Sequence, residues 1–226
     1  KTLSVAGEPG GSIPAVRARL AELWPGARVY DHHGMTEVGP VSYECPARPG
    51  VLHVIERAFI AEIVDPATGQ PVGDGGQGEL ILTNLGRIGS PLLRYRTGDL
   101  VKRGTRNAER GVCACGSSDL ALEGGILGRV DDMVVVRGVN VYPGAVEEII
   151  RRTGGVAEYQ VRVSQGLALS ELTVTMEPAG AANGEELARR LERAFEASLA
   201  LRVPVTLAAP GSLPRFESKA RRWVRG

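Results

Sequence analysis

The sequence predicts an α+β protein of two successive units, a β-rich unit followed by a small mixed domain. Three observations support this prediction. The 226 residues are 43% hydrophobic and 23% charged, which allows one or two domains with buried cores. Between about residues 51 and 103, short apolar stretches alternate with Gly-, Pro- and Asp-containing turns, as in antiparallel sheets and small barrels. After Asp132 the pattern reads strand, helix, strand, strand, helix, strand, which is typical of an α+β domain with helices on one face of a sheet.

The first 40 residues contain one predicted helix between two predicted strands. KTLSVAG (1–7) is predicted as a buried strand, and the following EPGG as a turn. SIPAVRARLAELW (12–24) places Ser12 before a helical apolar pattern, with Pro14 in the first turn, as expected at a helix start. ARVYDHHGMTEVG (27–39) is predicted as a strand followed by a glycine-containing polar loop.

Four apolar stretches form the predicted antiparallel strands of the first unit. They are VLHVIE, AFIAEIVD, GELILTN and PLLRYRTGDLVKR, and turns such as DPATGQPVGDGGQ separate them. RGTRNAERGVCACGSSD (103–119) is predicted as a polar loop that carries a pair of cysteines.

The second unit alternates strands with two predicted helices. MVVVRG and VNVY are predicted strands, and PGAVEEIIRRT is a helix with Pro at its start. VAEYQVRVSQG and ALSELTVTMEP are strands, NGEELARRLERAFEASLA is an amphipathic helix, and RVPVTLAAPG is a strand. Basic residues accumulate towards residue 226, and we interpret Arg221, Arg222 and Arg225 as a solvated tail.

Composition and charge exclude several classes of protein. A net charge of +1 argues against a dedicated nucleic-acid surface. No apolar run approaches the roughly 20 residues that cross a bilayer, so no membrane partner is expected. There is no signal peptide, and three cysteines are too few for a disulfide scaffold, so we expect a cytoplasmic protein. Because the sequence lacks an initiator Met, we interpret it as a fragment or a processed chain.

Four stretches in this order carry a family resemblance. They are YDHHGMTEVG, GELILTNLGRIGSPLLRYRTGDL, GRVDDMVVVRGVNVYP and GSLPRFESKARR. Together they closely resemble the carboxyl half of adenylate-forming enzymes, the acyl- and aryl-coenzyme A synthetase superfamily, and in particular the phenylacetate–coenzyme A ligase branch. The resemblance implies that residues 1–130 end a large adenylate-binding domain with a β-rich subdomain at about 45–128. Residues 131–226 would form a mobile carboxyl-terminal domain.

The resemblance implies that ATP activates an aryl or acyl carboxylic acid to acyl-AMP, with release of pyrophosphate, before transfer to coenzyme A. Negative charge builds at the α-phosphate in the first step and calls for cations there. By resemblance, Thr36 contacts the α-phosphate, Glu37 holds Mg²⁺, and Lys219 reaches the carboxylate and α-phosphate through a flexible stem. The alternatives are an ordinary turn ending in a surface Glu37 and a solvated Lys219.

The same resemblance implies a binding site for the rest of the nucleotide. Asp99 of TGDL would accept hydrogen bonds from both ribose hydroxyls, whereas the alternative is an Asp that closes a turn. Arg129 would reach the ribose or a phosphate. His33 occupies the position where the family usually has a Tyr packed on adenine, and an imidazole ring can also stack. The stretch that passes along the adenine would contain Gly7, Glu8 and Pro9.

The stretch from Gly128 to Pro143 lies on the predicted boundary between the two units. By resemblance, Asp131 is the hinge about which the second unit rotates between its adenylation and thiol-transfer poses. Asp132 would cap or pair locally. Arg137 and Gly138 would contact coenzyme A, because a glycine lets the thiol arm pass close to the backbone. The alternative is a simple turn before a core strand, with Gly138 as a bulge.

Three cysteines and one histidine form a separate candidate metal site. Three sulfurs and an imidazole make a tetrahedral set for structural Zn²⁺, although C-x-C is tighter than the common C-x₂-C spacing. Phenylacetate–coenzyme A ligases commonly show a similar arrangement. The alternative is free loop thiols beside a core-facing histidine. The residues concerned are Cys45, His53, Cys113 and Cys115.

Two parts that such an enzyme needs are missing from this sequence. A phosphate loop rich in Gly, Ser and Thr should precede these motifs, and most of the acyl-binding wall should come from upstream. We therefore expect the later portion of a longer or split enzyme, with the missing portion supplied in cis or in trans. Two alternatives remain open: an adenylating enzyme whose acceptor is a carrier-protein phosphopantetheine, and a non-catalytic nucleotide-binding module.

Overall fold

The α+β fold predicted from the sequence is present in the computed structural model of the chain. The structure describes residues 1–6, 11–105, 112–165, 170–180, 183–216 and 221–226. Four candidate site residues lie outside these ranges, namely Gly7, Glu8, Pro9 and Lys219. Chain contacts separate two compact units, Lys1–Asp131 and Asp132–Gly226, and each has its own hydrophobic core. None of the helices formed by the described residues is long and apolar enough to span a membrane.

The first unit is dominated by short strands. Its elements are β1 (Thr2–Val5), α1 (Pro14–Leu23), β2 (Arg28–Asp31), β3 (Gly34–Met35), β4 (Gly39–Pro40), β5 (Ser42–Glu44), β6 (Val51–Val54), β7 (Phe59–Val64), β8 (Gln77–Asn84), β9 (Tyr95–Arg103) and β10 (Ala121–Arg129). The strands β5-β6-β10-β9-β8-β7, in that order, form a six-stranded antiparallel sheet. The meander predicted between about residues 51 and 103 accounts for four of them.

The strand β10 is an element that the sequence pattern does not reveal. Gly124 and Gly125 both have positive φ, at 75° and 65°. The pairing of β10 with β9 shifts register between Leu122 and Ile126, which brackets these glycines. A bulge of this kind breaks the period-2 alternation by which a strand is recognised.

The elements before the sheet differ from the prediction in two respects. The strand β1 pairs in parallel with β2, but its residues alternate between exposed and half-buried rather than being buried. The helix α1 begins at Pro14 after Ile13, and no side chain caps it. The Ser12 hydroxyl, which was expected to cap the helix, instead donates a hydrogen bond to the carboxylate of Asp31, a residue distant in sequence.

The second unit contains the elements predicted for it and one more strand. They are β11 (Val134–Val136), β12 (Val139–Val141), α2 (Pro143–Thr153), β13 (Val156–Gln165), β14 (Ser170–Pro178), α3 (Gly184–Leu199), β15 (Val205–Leu207) and β16 (Trp223–Arg225). The strands β15-β14-β13-β16 form one sheet, and β11 and β12 form a hairpin. Fully buried side chains such as Ile150 of α2, Val174 of β14 and Phe195 of α3 share one core.

The interpretation of Arg221, Arg222 and Arg225 as a solvated tail is wrong for part of this segment. Trp223–Arg225 is the strand β16, which pairs in parallel with β13. The Arg222 side chain is mostly buried and forms an ion pair with Glu158. A three-residue strand whose partner lies about 60 positions earlier carries no local periodicity, so this pairing is invisible to pattern analysis.

Candidate functional site

The candidate site in the first unit is built around Asp99, on β9. The Thr97 hydroxyl donates to the Leu80 carbonyl at 2.8 Å and accepts from the Asp99 N–H at 3.0 Å. Gly98, between them, has φ of 75°, a conformation that favours glycine. The TGD sequence therefore makes a fixed bend, and its threonine, which sequence analysis did not assign, positions the Asp99 backbone.

His33 is bonded to Asp99. The His33 Nε2 atom lies 2.9 Å from Asp99 Oδ2, and both side chains are about nine-tenths buried. The His33 backbone N–H donates to Ser42 Oγ at 3.1 Å. His33 Nδ1 is buried and has no hydrogen-bond partner within the part of the chain that the structure describes. Two residues that the sequence assigns to different parts of a nucleotide, adenine and ribose, thus contact each other.

Arg129 links Asp99 to Asp131. Arg129 and Asp99 are register partners across β10 and β9, and their nearest side-chain atoms, Nη1 and Oδ1, lie 3.7 Å apart. Arg129 Nε and Nη2 donate to the two carboxylate oxygens of Asp131 at 2.8 and 3.2 Å. These hydrogen bonds lower the pKa of Asp131 below its ordinary value, which keeps it ionised.

The charged groups of this cluster are placed so that a ligand could replace some of the hydrogen bonds between them. The side chains of Arg129 and Asp131 are 47% and 66% exposed, whereas that of Asp99 is 10% exposed. A buried acid beside a half-exposed guanidinium offers acceptors for hydroxyl groups and a cation for a phosphate. The chemistry of the cluster therefore suits a ribose phosphate.

Thr36 and Glu37 lie in the exposed turn between β3 and β4, a few residues after His33. Arg87 donates a hydrogen bond to the carbonyl oxygen of Glu37. Sequence analysis did not single out Arg87, because it lies 50 positions from Glu37 in a loop with no pattern of its own. Both candidate side chains are open to solvent, where a phosphate and a hydrated cation can reach them.

Arg137 and Gly138 form the two-residue turn of the hairpin β11–β12. Both have positive φ, at 49° and 82°, as in the turns that match the twist of paired strands. Arg137 Nη2 donates to Glu171 Oε1 at 2.9 Å. The alternative of a simple turn agrees with this geometry, but Gly138 is not a bulge, because β11 and β12 pair in regular register up to the turn.

The four candidate metal ligands come together beside the six-stranded sheet. Their ligand atoms all lie within 4.8 Å of one another. The Sγ atoms of Cys45 and Cys113 are 3.6 Å apart, and Cys115 Sγ lies 3.4 Å from His53 Nε2. Bonds of about 2.3 Å to sulfur and about 2.0 Å to nitrogen would separate tetrahedral ligand atoms by about 3.5–3.8 Å. The donor set and its spacing therefore fit one metal ion of the size of Zn²⁺.

The surroundings prepare His53 to act as a ligand. His53 Nδ1 lies 3.0 Å from the carbonyl oxygen of Asp119, which can accept only if Nδ1 carries the proton. That tautomer leaves the Nε2 lone pair free to face the sulfurs, as is common in metal sites.

Burial raises the pKa of Cys45 to about 11. Burial opposes ionisation of Cys113 too, but hydrogen bonds from the Cys115 backbone and from neighbouring side chains lower its pKa to about 6.

Comparison with known proteins identifies relatives for nearly the whole chain. Residues 138–225 match the family described as AMP-binding enzyme C-terminal domain. A phenylacetate-coenzyme A ligase of Thermus thermophilus is 36% identical over 219 residues, covering 87% of this chain and 48% of that protein. The phenylacetate-coenzyme A ligase of Escherichia coli K12 is 32% identical over 225 residues, covering 94% of this chain and 49% of that protein.

A solved structure shares the fold across both units. It is 2-hydroxyisobutyryl-CoA ligase in the postadenylation state in complex with R3-HIB-AMP, with a TM-score of 0.89 and 31% sequence identity. The match covers 100% of this chain and 48% of that one. The chain therefore spans about half the length of the relatives that it matches.

Gly98→Ala should perturb the candidate site directly. An added Cβ would lie 2.5 Å from Arg129 Nη2, and the positive φ would strain any other residue. We expect a loss of about 1–2 kcal/mol in the free energy of unfolding, measured by chemical denaturation. Gly86→Ala is the matched control, because nothing lies within 4 Å of its added Cβ. An unchanged stability for Gly98→Ala would contradict the positive φ described for Gly98, because that strain is the source of the expected loss.

Proposed function

We propose that this chain, which over residues 138–225 belongs to the AMP-binding enzyme C-terminal domain family, takes part in AMP-forming ligation of a carboxylic acid to coenzyme A. ATP would activate the acid to acyl-AMP with release of pyrophosphate, and a thiol would then accept the acyl group with release of AMP. The observation that carries this proposal is the cluster of His33, Asp99 and Arg129. It combines acceptors and a cation suited to a ribose phosphate, in a chain related to phenylacetate-coenzyme A ligases.

In the proposed nucleotide site, Asp99 accepts hydrogen bonds from the ribose hydroxyls and Arg129 contacts the ribose or a phosphate. Gly98 and Thr97 hold the Asp99 backbone, so the carboxylate is oriented before the ligand arrives. His33 stacks on or hydrogen-bonds the adenine, and its bond to Asp99 Oδ2 fixes the ring. The glycine-rich stretch with Gly7, Glu8 and Pro9 would complete the adenine contacts.

The proposed activation step needs positive charge at the α-phosphate. Thr36 would donate its hydroxyl there, and Glu37 would hold Mg²⁺, which supplies positive charge for the phosphates when bound. Lys219 would place its ammonium between the carboxylate and the α-phosphate, where it stabilises the charge that develops as the acyl–phosphate bond forms.

We propose an aryl acid of the phenylacetate type as the substrate, because the curated relatives carry that name. A short hydroxy acid is the second candidate, since a structure with a TM-score of 0.89 to this chain is a 2-hydroxyisobutyryl-CoA ligase. The acceptor would be free coenzyme A, and crystals of that ligase with coenzyme A favour this over a carrier protein. Arg137 and Gly138 would contact the coenzyme A, whose thiol arm could pass the glycine face of the hairpin turn.

We also propose that Asp131 is the hinge between the two poses that the two half-reactions require. It is the last residue of the first compact unit, and its side chain is exposed apart from its bonds to Arg129. An exposed polar residue in a turn can change φ and ψ without burying an unpaired group.

We further propose that Cys45, His53, Cys113 and Cys115 bind a structural Zn²⁺. With four protein ligands, no position would be open for a substrate, so the metal would stabilise the fold rather than catalyse. The ligands come from the end of β5, from β6 and from the loop that joins β9 to β10. One ion would therefore tie a polar loop to the sheet.

Acid-dependent exchange of pyrophosphate into ATP tests the proposed activity. The natural full-length protein should catalyse exchange with one class of acid in a panel of aryl and short hydroxy or acyl acids. Lys219→Ala should slow exchange about 100-fold or more, because it removes a cation from the developing charge, yet leave thiol transfer from preformed acyl-AMP within about threefold. Lys102→Ala, an exposed lysine of β9, is the control. No exchange with any acid would favour a non-catalytic nucleotide-binding module.

Asp131→Pro tests the hinge. Proline fixes φ, so we expect overall turnover to fall about tenfold or more while one isolated half-reaction stays within about threefold. Asp131→Ala removes the bonds to Arg129 without fixing φ, and should cost much less. Equal turnover of the two variants, measured as thioester formation, would contradict the hinge.

Metal analysis tests the zinc site. Protein purified without chelator should contain about one equivalent of Zn²⁺ at this site, and Cys113→Ser should lose it, because serine is a poor zinc ligand. Ser118→Ala, an exposed neighbour in the same loop, should keep the metal. Less than about a third of an equivalent in the unaltered protein would count against the site.

A further inference from the structure

Two buried glutamates of the second unit lie side by side and bind the chain on either side of Lys219. Glu158 of β13 and Glu177 of β14 are direct partners across the two strands. Direct antiparallel partners point to the same face of a sheet. Two neighbouring buried carboxylates repel each other unless each is neutralised by donors of its own. The donors in this case come from residues 211–215 and from Arg222.

Glu177 binds the segment that precedes Lys219. Its carboxylate accepts from the backbone N–H groups of Gly211 at 3.0 Å and Leu213 at 2.6 Å. Arg215 adds two charge-assisted contacts, of 2.6 Å from Nη2 and 3.3 Å from Nη1. Hydrogen bonds from Arg215 and from this backbone lower the pKa of Glu177 to about 2. A single buried acid thus holds both the backbone and a side chain of residues 211–215.

Glu158 binds the segment that follows Lys219. Arg222 donates to its two oxygens from Nε at 2.6 Å and from Nη2 at 3.3 Å. The Arg222 guanidinium also lies over the Tyr159 ring, 5.1 Å from its centre. The Arg222 carbonyl accepts from the Val161 N–H at 2.8 Å, where β16 joins the sheet. Side-chain and backbone contacts therefore fix Arg222 to β13.

We propose that Glu158 and Glu177 are positioning residues for adenylation, which hold the two flanks of the segment that carries Lys219. In the sequence Lys219 lies four residues after Arg215 and three before Arg222. Because both anchors sit on adjacent strands, the two ends of this short segment are kept at a set separation. Fixing both ends of a short segment reduces the conformational entropy that is lost when a lysine within it is brought to its target. This inference rests on the proposed role of Lys219.

The hydrogen bonds of Glu177 to backbone N–H groups indicate that it positions the segment as well as stabilising the fold. A buried ion pair within a core can often be replaced by apolar residues without loss of stability. The carboxylate of Glu177, however, accepts hydrogen bonds from backbone N–H groups of an irregular segment. An apolar side chain could not accept these hydrogen bonds. Removing the carboxylate should therefore release the flank while α2, α3 and the sheet keep their core.

Glu177→Gln and Glu158→Gln in the natural full-length protein test the proposal. An amide keeps the shape but opposes the arginine with its own N–H₂ donors. We expect kcat for acid-dependent ATP–pyrophosphate exchange to fall about tenfold or more, with KM for ATP and thiol transfer from preformed acyl-AMP within about twofold to threefold. Glu192→Gln is the matched control, since this α3 carboxylate also accepts a backbone N–H, from Val205 at 3.1 Å. The control should change neither half-reaction.

Arg215→Ala provides a second variant that spares the core, because this side chain is 52% exposed. It should slow exchange by a smaller factor than Glu177→Gln. If both act through the same flank, the double variant should be no slower than Glu177→Gln alone. Additive losses would count against the shared action.

The remaining outcomes separate this inference from the proposed function. If Lys219→Ala slows exchange but neither glutamate variant does, the positioning role is overturned and the proposed function stands. If the glutamate variants slow both half-reactions equally, in step with a lower Tm, their role is structural and the inference is also overturned. If Lys219→Ala leaves exchange intact, its assigned role fails, and the positioning role fails with it.

Discussion

In both units of this protein, buried carboxylates are held by arginine side chains and by backbone N–H groups. Removing a carboxylate from water costs several kcal/mol unless such donors replace the lost hydration. Each pairing therefore joins a buried acid on a strand to a neighbouring helix, strand or loop. Pairs of this kind with a mostly buried acid join Arg17 to Glu44, Arg96 to Glu79, Arg222 to Glu158 and Arg215 to Glu177.

The candidate nucleotide site also contains a buried carboxylate, that of Asp99, whose two oxygens are contacted unequally by the described residues. Asp99 Oδ2 lies 2.9 Å from His33 Nε2, whereas Asp99 Oδ1 lies 3.7 Å from Arg129 Nη1, and Arg129 also pairs with the exposed Asp131. If the carboxylate were already fully hydrogen-bonded, a ligand would gain little binding free energy by replacing those hydrogen bonds. Here a ribose or phosphate can take over contacts that the free protein makes weakly, while Thr97 and Gly98 keep the acid in place.

Much of the fold follows from local patterns, whereas the exceptions come from long-range contacts. Alternating apolar stretches predicted β6 to β9, and Asn183 caps α3 at the predicted start, by accepting from the Glu186 N–H. The glycine bulge in β10 and the parallel pairing of β16 could not be predicted, because a bulge breaks the period and a three-residue strand has none. The role of Ser12 could not be predicted for the same reason, since its hydroxyl donates to the distant Asp31 instead of capping the helix.

By itself, the sequence determined the α+β class, the three helices and most of the strands in their order, and the residue types from which the candidate sites are built. Residue types and spacing suffice for this, because helical and strand periods and ligand preferences are local properties. Only the tertiary structure decided which of these residues meet. It brought Cys45 and His53 to Cys113 and Cys115, joined His33 to Asp99, and paired Glu158 with Glu177. Such contacts depend on which distant strands and loops become neighbours, and local periodicity in a single sequence does not reveal this.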